Sequence, residues 1–387
     1  MGLASTAQAA DGPVRIGVLT DMSSALADTQ GPGSVEGARM AIEDFGGTVL
    51  GRKIELLNAD HQNKADIGAA TASKWFDNDD VRLIVDLGNS AVGLAVQRIA
   101  KEKDRITIAT GAATSELTGK GCTTNSFHWG YDTYQFSRAA PAHMVKSGLD
   151  TWYFITADYA FGYALENDTR AVVEANGGKV VGSVRHPINT HDFSSYLLQA
   201  QASGAKVIAV ASAVSDLQNV LKQGQEFQIF GKKQVPAAMA LLLVDVHSVG
   251  LKATQGTTIS TVFYWDQDEA TRGFAERFKK RTGRPPSEAQ AMNYSGVLHY
   301  LKAVKAAGTT DTEAVLKQMK DTPVNDLMTK DAKLRADGRL MRDVRMAKVK
   351  TPEQSKGPWD YFEIGEIVPA EQAFRPAADS TCPLMKK

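Results

Sequence analysis

Apolar positions along the chain follow two alternating rhythms. Short β-branched runs with little polar interruption give way to stretches in which apolar residues recur every three or four positions. That succession is expected of parallel strand–helix–strand units. Val14 to Thr20 reads as a first strand, and helix-spaced residues follow at Val35, Ala38, Met40, Ala41, Ile42 and Phe45. A strand from Lys53 to Asn58, a helix from Ala65 to Phe76, a strand from Arg82 to Asp86, a helix from Ser90 to Lys101 and a strand from Arg105 to Thr110 complete one doubly wound unit. A second series begins after Tyr131. A helix from Tyr134 to Lys146 leads to strand Trp152 to Thr156, helix Gly162 to Ala175, strand Lys179 to Arg185, helix Phe193 to Ala202 and strand Lys206 to Ala211. A helix through Leu217 and Leu221, then strands near Val235 to Leu243 and Thr257 to Phe263, finish it.

From Trp265 the rhythm turns helical, over Glu269 to Thr282, Ser287 to Ala307 and Asp311 to Met319. An antiparallel pair follows, Asp343 to Lys350 and Trp359 to Ile367. Three helices are too few for a third βαβ domain, so they are expected to pack back on the first unit. Each lobe is then discontinuous: 11–131 with 265–342, and 132–264 with 343–387, the C-terminal tail returning to the first lobe. A length of 387 residues fits two domains.

Charge and composition narrow the partners. Lys plus Arg and Asp plus Glu both number 44, so the formal charge is zero. This excludes the net-basic face of a nucleic-acid binder and a polybasic anchor on anionic lipid. Hydrophobic residues make up 43%, enough for sizeable cores, and no apolar run approaches the roughly 20 residues of a membrane span. Ala4 to Ala10 ends in an Ala-x-Ala pattern, the small-residue signature of signal-peptide cleavage, so residues 1–10 read as the remnant of an export signal and a periplasmic location is expected. Cys122 and Cys382 are too few for a thiolate metal site. In an oxidising compartment they are expected to form one disulfide, pinning the tail to the first lobe.

Ligands of open α/β sheets bind beyond the carboxyl ends of the strands. Three polar loops stand there: Asp21 to Ala25 (with Met22 and Ser23), Gly88-Asn89-Ser90, and Gly111 to Ser115 (with Ala112 and Thr114). Ser90 and Thr114 stand at helix starts, where exposed N–H groups and small hydroxyls suit a carboxylate or phosphate; ordinary capping is the plainer alternative. Gly31 to Gly37 does not follow a strand directly and contains Pro32, so it reads as a loop entering a helix rather than a dinucleotide fingerprint. There is no Gly-x-Ser-x-Gly elbow, and His186, His191 and Asp192 read as a strand end and loop rather than a metal face. Asp60-His61 reads as an exposed loop pair. No enzyme and no cofactor is implied. Aromatic residues gather at the junctions: Trp129, Tyr131 and Tyr134; Tyr159, Phe161 and Tyr163; Tyr264 and Trp265. Such rings can wall a cleft or simply pack between domains.

Several of these segments in this order resemble the leucine/isoleucine/valine-binding family of type I periplasmic binding proteins, the receptors of ABC importers. They are Ile16-Gly17-Val18 to Met22-Ser23-Ser24, Gly37 to Asp44, Ser90, Ala112-Ala113-Thr114-x-Glu116-Leu117-Thr118 and Asp158-Tyr159-Ala160-Phe161-Gly162. The likeness runs from Val14 to Trp265 and more loosely beyond. It implies an α/β fold of two doubly wound parallel-sheet lobes joined by three crossovers, a monomer that closes on a small ligand by hinge motion, and a membrane permease as partner. It also implies that Ser90, Ala112 and Thr114 hold a ligand carboxylate and that Phe161 covers the ligand. Met22, Ser23, Tyr131, Ser212, Met239 and Trp265 are the expected walls. Amino-acid binders of the family place an acidic residue against the ligand ammonium, and the corresponding stretch here, Pro236 to Leu243, has none. A buried ammonium without a counter-charge is heavily penalised. The expected ligand is therefore a carboxylate without an α-amino group, with an aromatic acid of the benzoate or cinnamate type the first choice. A branched-chain amino-acid or amide receptor, or a sensory module on the same fold, is the alternative.

Overall fold

The structure, a computed structural model, describes residues 12–231 and 233–385. The export-signal remnant at residues 1–10 lies outside them. The first unit runs β1 (Val14–Thr20), α1 (Gly31–Phe45), β2 (Thr48–Val49), β3 (Arg52–Asp60), α2 (Ala65–Asp77), β4 (Val81–Asp86), α3 (Ser90–Glu102), β5 (Ile106–Ala109) and β6 (Ser126–His128). The second runs α4 (Thr133–Phe136), α5 (Ala139–Lys146), β7 (Thr151–Ala157), α6 (Ala160–Ala175), β8 (Lys179–His186), α7 (Ser194–Ala202), β9 (Val207–Ala211), α8 (Val214–Glu226), β10 (Val235–Ala237), α9 (Leu243–Val249) and α10 (Leu251–Thr254). The remainder is β11 (Thr258–Thr261), α11 (Glu269–Thr282), α12 (Glu288–Ala307), α13 (Thr312–Asp321), β12 (Lys333–Leu334), β13 (Leu340–Met341), β14 (Val344–Val349), β15 (Phe362–Val368) and α14 (Ala370–Ala373).

Two doubly wound sheets result. The first has the order β2-β3-β1-β4-β5-β6 and is parallel except for the β2 hairpin; the second, β10-β9-β7-β8, is parallel throughout. A small antiparallel sheet, β11-β14-β15, shares its core with the second, through Ile259, Ala347 and Phe362 against Ile155 and Ile208. α12 packs on α1 and β4 of the first unit. The chain therefore passes between the two units after β6, after β11 and after β13. Central strands are buried on both faces and read as near-continuous apolar runs, as helix-covered parallel sheets require. Apolar packing continues from Val18 and Leu83 of the first sheet through Tyr131, Phe136 and Phe161 to Phe154 and Val207 of the second.

Three local expectations are corrected, and one strand was not foreseen. The stretch Val235 to Leu243 is not one strand, because β10 ends at Ala237 and α9 begins at Leu243. Its Ala- and Leu-rich composition suits either state. The helix expected over Tyr134 to Lys146 is broken between α4 and α5. Pro141 lacks the N–H that would bond to Ser137 in a continuous helix, and here it falls in the first turn of α5, where none is needed. Gly31 to Gly37 is not a loop but the first turns of α1, with the proline at the helix start. Its glycines serve packing: a Cβ on Gly37 would stand 2.3 Å from the carbonyl oxygen of Gln290 in α12, and one on Gly33 2.2 Å from the Gln290 amide. The three-residue strand β6 carries too little period to be seen in the sequence.

Cys122, in the loop before β6, and Cys382, in the tail, form the expected disulfide, with Cα atoms 5.7 Å apart.

Candidate functional site

Helix starts converge on a partly open, mostly apolar cavity between the two sheets. Its lining includes Gln30, the residue before α1; Ser90, the first residue of α3; Tyr159, before α6; Ala213 and Val214, at the start of α8; and Leu242, before α9. The arrangement follows from topology, since each of these helices leaves a parallel strand at its carboxyl end and the two sheets present those ends to each other. The starts of α6 and α8 have no side-chain cap, so their first N–H groups keep their donor capacity and their partial positive charge, whereas at α1 the Gly31 N–H donates to Thr20 Oγ1 at 3.0 Å and Pro32 has no N–H. No acidic or basic side chain lines the cavity.

The backbone around it is strained. Asp86 (φ 80°) and Leu87 (φ 59°) lead from β4 into the Gly88-Asn89-Ser90 loop, and Val214 (φ 42°) opens α8. A β-branched residue in the left-handed region is held there only by its surroundings, and such positions cluster at ligand sites.

Ser90 is not the helix cap. Asn89 takes that place, its side chain accepting from the N–H groups of Ala91 and Val92, which frees Ser90 for a different contact. Ser90 Oγ accepts from the Thr114 N–H at 3.1 Å, joining the loops after β4 and β5, and its own proton remains free to donate. Thr114 does cap, accepting from the Glu116 N–H at 3.3 Å. Tyr131 and Phe161 line the cavity, as does Tyr159. Burial raises both phenol pKa values, so Tyr131 and Tyr159 stay protonated donors throughout the physiological range.

The other expected residues, Thr114 among them, lie outside the lining, four of them by a single position. Ala112 is buried against α3, and its neighbours Gly111 and Ala113 face the cavity. Ser212 pairs with His186 Nε2 at 2.7 Å, and Ala213 takes the wall; Met239 belongs to the core, and Ala240 takes the wall. Along extended chain, as at Ala112 and Ser212, successive side chains alternate in direction, so a one-residue offset exchanges wall for core, while Met239 and Ala240 part in the turn after β10. The Met22 N–H donates to Asp60 Oδ1 at 3.0 Å, and Ser23 Oγ to Asp60 Oδ2 at 2.5 Å, on the exposed side. The indole N–H of Trp265 donates to the Trp359 carbonyl at 2.8 Å.

Three buried carboxylates stand behind the wall: Asp86, Asp216 and Asp245, each pushed by burial up to about 6. Asp245 accepts from Gln218 Nε2 and the Leu242 N–H, and Asp216 from the Asn189 N–H. His61 is not an exposed partner of Asp60 but fully buried, its pKa lowered by burial to about 4. Among the described residues no group of three or more His, Cys, Asp or Glu side chains could hold a metal ion. Among them, too, no helix is long and apolar enough to cross a membrane.

Gln30, Tyr159, Val214 and Leu242 were missing from the expected walls. Gln30 had a signal: it directly precedes Gly31-Pro32, a helix-start signature that places it beside the strand ends.

The sequence pattern of the family described as periplasmic binding protein matches residues 13–358. A periplasmic binding protein from Burkholderia mallei superposes with a TM-score of 0.94 at 44% identity, covering 97% of this chain and 99% of that one. A protein from Burkholderia xenovorans LB400, described as a branched chain amino acid ABC transporter periplasmic ligand-binding protein, does so at 0.85 and 40%, covering 96% and 100%. A solute binding protein of an ABC transporter from R. palustris, in complex with benzoate, matches at 0.80 over 92% and 97% of the two chains; at 18% identity this likeness is one of fold alone.

Proposed function

The chain belongs to the periplasmic binding protein family, and from that premise we propose that it is the solute receptor of an ABC importer for a small carboxylate without an α-amino group, an aromatic acid first. The observation that carries this reading is the meeting of the uncapped starts of α6 and α8 with the Ser90 loop at an apolar cavity whose lining has no charged side chain. Helix-terminal N–H groups and the hydroxyls of Ser90, Tyr131 and Tyr159 offer donors to an anion, while Phe136 and Phe161 offer faces to a planar apolar body. An ammonium would find no carboxylate on the wall, and leaving it uncompensated there is heavily unfavourable. In this reading Ser90 and the Ala112–Thr114 segment hold the carboxylate. The lobes are 11–131 with 265–342 and 132–264 with 343–387, and they close on the ligand without chemistry and deliver it to a membrane permease.

The branched-chain amino acid in the description of the Burkholderia xenovorans relative is the competing reading, and it requires one of the buried aspartates to reach the ligand. A thermal-shift screen separates the two. Benzoates and cinnamates at about 100 times their Kd are expected to add about 2.7 kcal/mol, read as a rise of a few degrees. Stabilisation by leucine and by no aromatic or aliphatic acid overturns the carboxylate-only reading.

A further inference from the structure

Buried polar side chains tie together the three passages of chain between the units. Arg339, just ahead of β13, donates to Asp132 Oδ2 at 3.3 Å and to the Gly130 carbonyl, both in the passage after β6. Arg342, after β13, donates to the Val262 carbonyl in the passage after β11 and to Met292 Sδ of α12 at 2.8 Å. Glu288, the first residue of α12, reaches the same passage from the first unit. Its carboxyl lies 2.7 Å from Thr261 Oγ1 and accepts from the Val262 N–H at 3.4 Å. Thr261 Oγ1 also lies 2.8 Å from the Phe263 carbonyl oxygen. Thr261, Glu288 and Arg342 are each at most 5% exposed, so water does not serve them. The Thr261 hydroxyl therefore has one proton and two acceptors. With Glu288 protonated, the carboxyl donates to Thr261 Oγ1, Thr261 donates on to the Phe263 carbonyl, and every group is served. With Glu288 ionised, the carboxylate and the Phe263 carbonyl compete for the one proton, and the loser is left buried and unpaired.

We propose that Glu288 is a proton switch in the hinge: neutral, it holds the passage after β11 in the arrangement that brings the two units together over the cavity, and ionised, it releases that passage so that the units part. The switch goes beyond the receptor reading above and rests on it only for the closing motion, not for the ligand. Arg342 is the cation that acts on Glu288, yet no ion pair joins them, so ionisation in this arrangement leaves a buried charge without a partner. Burial accordingly raises the carboxyl from 4.5 to about 7. The other titratable and charged groups around it are few. Tyr131, in the passage after β6, feels Glu288 together with Asp86 and Asp245 and stays protonated. Arg342 also feels Asp326, which accepts from Ser295 Oγ of α12, and Arg339, which is paired with Asp132. Asp28 and Arg284, beside the start of α12, pair with each other at the surface. An open hinge that admits water returns the carboxyl towards its ordinary value. Closure is then strongest below about pH 4.5 and weakens by up to about tenfold per pH unit until it levels off near pH 7.

The test is small-angle X-ray scattering of the ligand-free protein from about pH 5 to about pH 8.5. The radius of gyration is expected to grow as pH rises and to reach a plateau near pH 7. Glu288→Gln carries a neutral amide that donates to Thr261 Oγ1 at every pH, so its radius is expected to stay at the parent's low-pH value throughout. Thr261→Val removes the shared hydroxyl and is expected to abolish most of the change, which keeps the inference testable where Glu288→Gln fails to fold. A parent radius that does not move with pH overturns the inference. So does a change that persists undiminished in either variant, since it then belongs to other buried carboxyls such as Asp86, Asp216 or Asp245. Scattering with saturating benzoate and with saturating leucine separates this inference from the receptor reading. If neither ligand nor pH alters the radius, the closing receptor fails and the switch falls with it; if a ligand contracts the protein and pH does not, only the switch falls.

Discussion

Buried groups of opposite titration shape the protein's response to pH, the carboxyls Asp86, Asp216, Asp245 and Glu288 on one side and His61 on the other. Asp86 is fully buried, with Oδ2 unpartnered and its pKa raised by burial from 3.8 to about 6. A carboxyl raised in the folded state contributes stability that is complete below about pH 3.8 and is lost as pH rises towards 6. Two units correspond to on the order of 3 kcal/mol. His61 has the contrary sign: lowered from 6.5 to about 4, it contributes stability present above 6.5 and lost as pH falls towards 4. Between pH 4 and 6 the two slopes oppose each other. Asp86→Asn removes the first and keeps the shape of the side chain. The variant is expected to be more stable than the parent at pH 7.5, by up to about 3 kcal/mol, and its advantage over the parent is expected to grow between pH 4.5 and 6.5. Urea denaturation at the two ends of that range measures both effects, and an unchanged pH slope would show that Asp86 does not titrate in this window.

At the scale of elements, period and punctuation were good guides wherever a segment was long enough to repeat itself. β1 spans the residues expected of it, and the helix starting at Ser90 was expected to end one residue short of Glu102. Legibility failed where a segment is too short to show a period, as at β6, or where composition suits two states, as between Ala237 and Leu243. Of the residues expected at the site, Ser90, Tyr131 and Phe161 line the cavity, four stand one position from its lining, and Met22, Ser23 and Trp265 stand away from it. The loops that form it could be named, but which of two neighbouring side chains faces the cavity depends on how the chain turns as it leaves the strand. Ala112 against Ala113, and Ser212 against Ala213, show this. Glycine spacing in α1 was visible too, yet its purpose was not, because that purpose is α12, some 250 residues away in the chain. Contact of the Gly37 backbone with Gln290 O allows no methyl group between the two helices. Gly37→Ala is therefore expected to destabilise by about 1–3 kcal/mol through overpacking, despite alanine's better helix propensity. A thermal melt at or above that of the parent would mean that α1 and α12 can separate without loss.

For the whole molecule the tail acts as a strap across both units. Asp168, on α6 of the second unit, accepts from Ser115 Oγ in the loop between β5 and β6 at 2.8 Å, from Thr133 Oγ1 at the start of α4 at 2.6 Å, and from Arg375 of the tail at 2.8 Å. The Arg375 guanidinium also lies 4.8 Å from the centre of the Tyr134 ring. Seven residues further on, Cys382 is bonded to Cys122 of the first unit, closing a loop with a sequence separation of 260. A covalent closure of that length restricts the unfolded chain, and its removal in Cys122→Ser/Cys382→Ser is expected to cost about 2–5 kcal/mol. If the disulfide also holds Arg375 in place, the two features are coupled rather than additive. Arg375→Ala in the disulfide-bonded protein removes a charged hydrogen bond to a nearly buried carboxylate, for a loss of about 1–3 kcal/mol. The same substitution in the protein without the disulfide is expected to cost less than half as much, because the tail is already free to leave Asp168. A double-mutant cycle on urea midpoints reads this coupling directly. Equal costs in the two backgrounds would show that Arg375 keeps its place without the disulfide, and that the strap is held by packing of the buried Phe374 beside it.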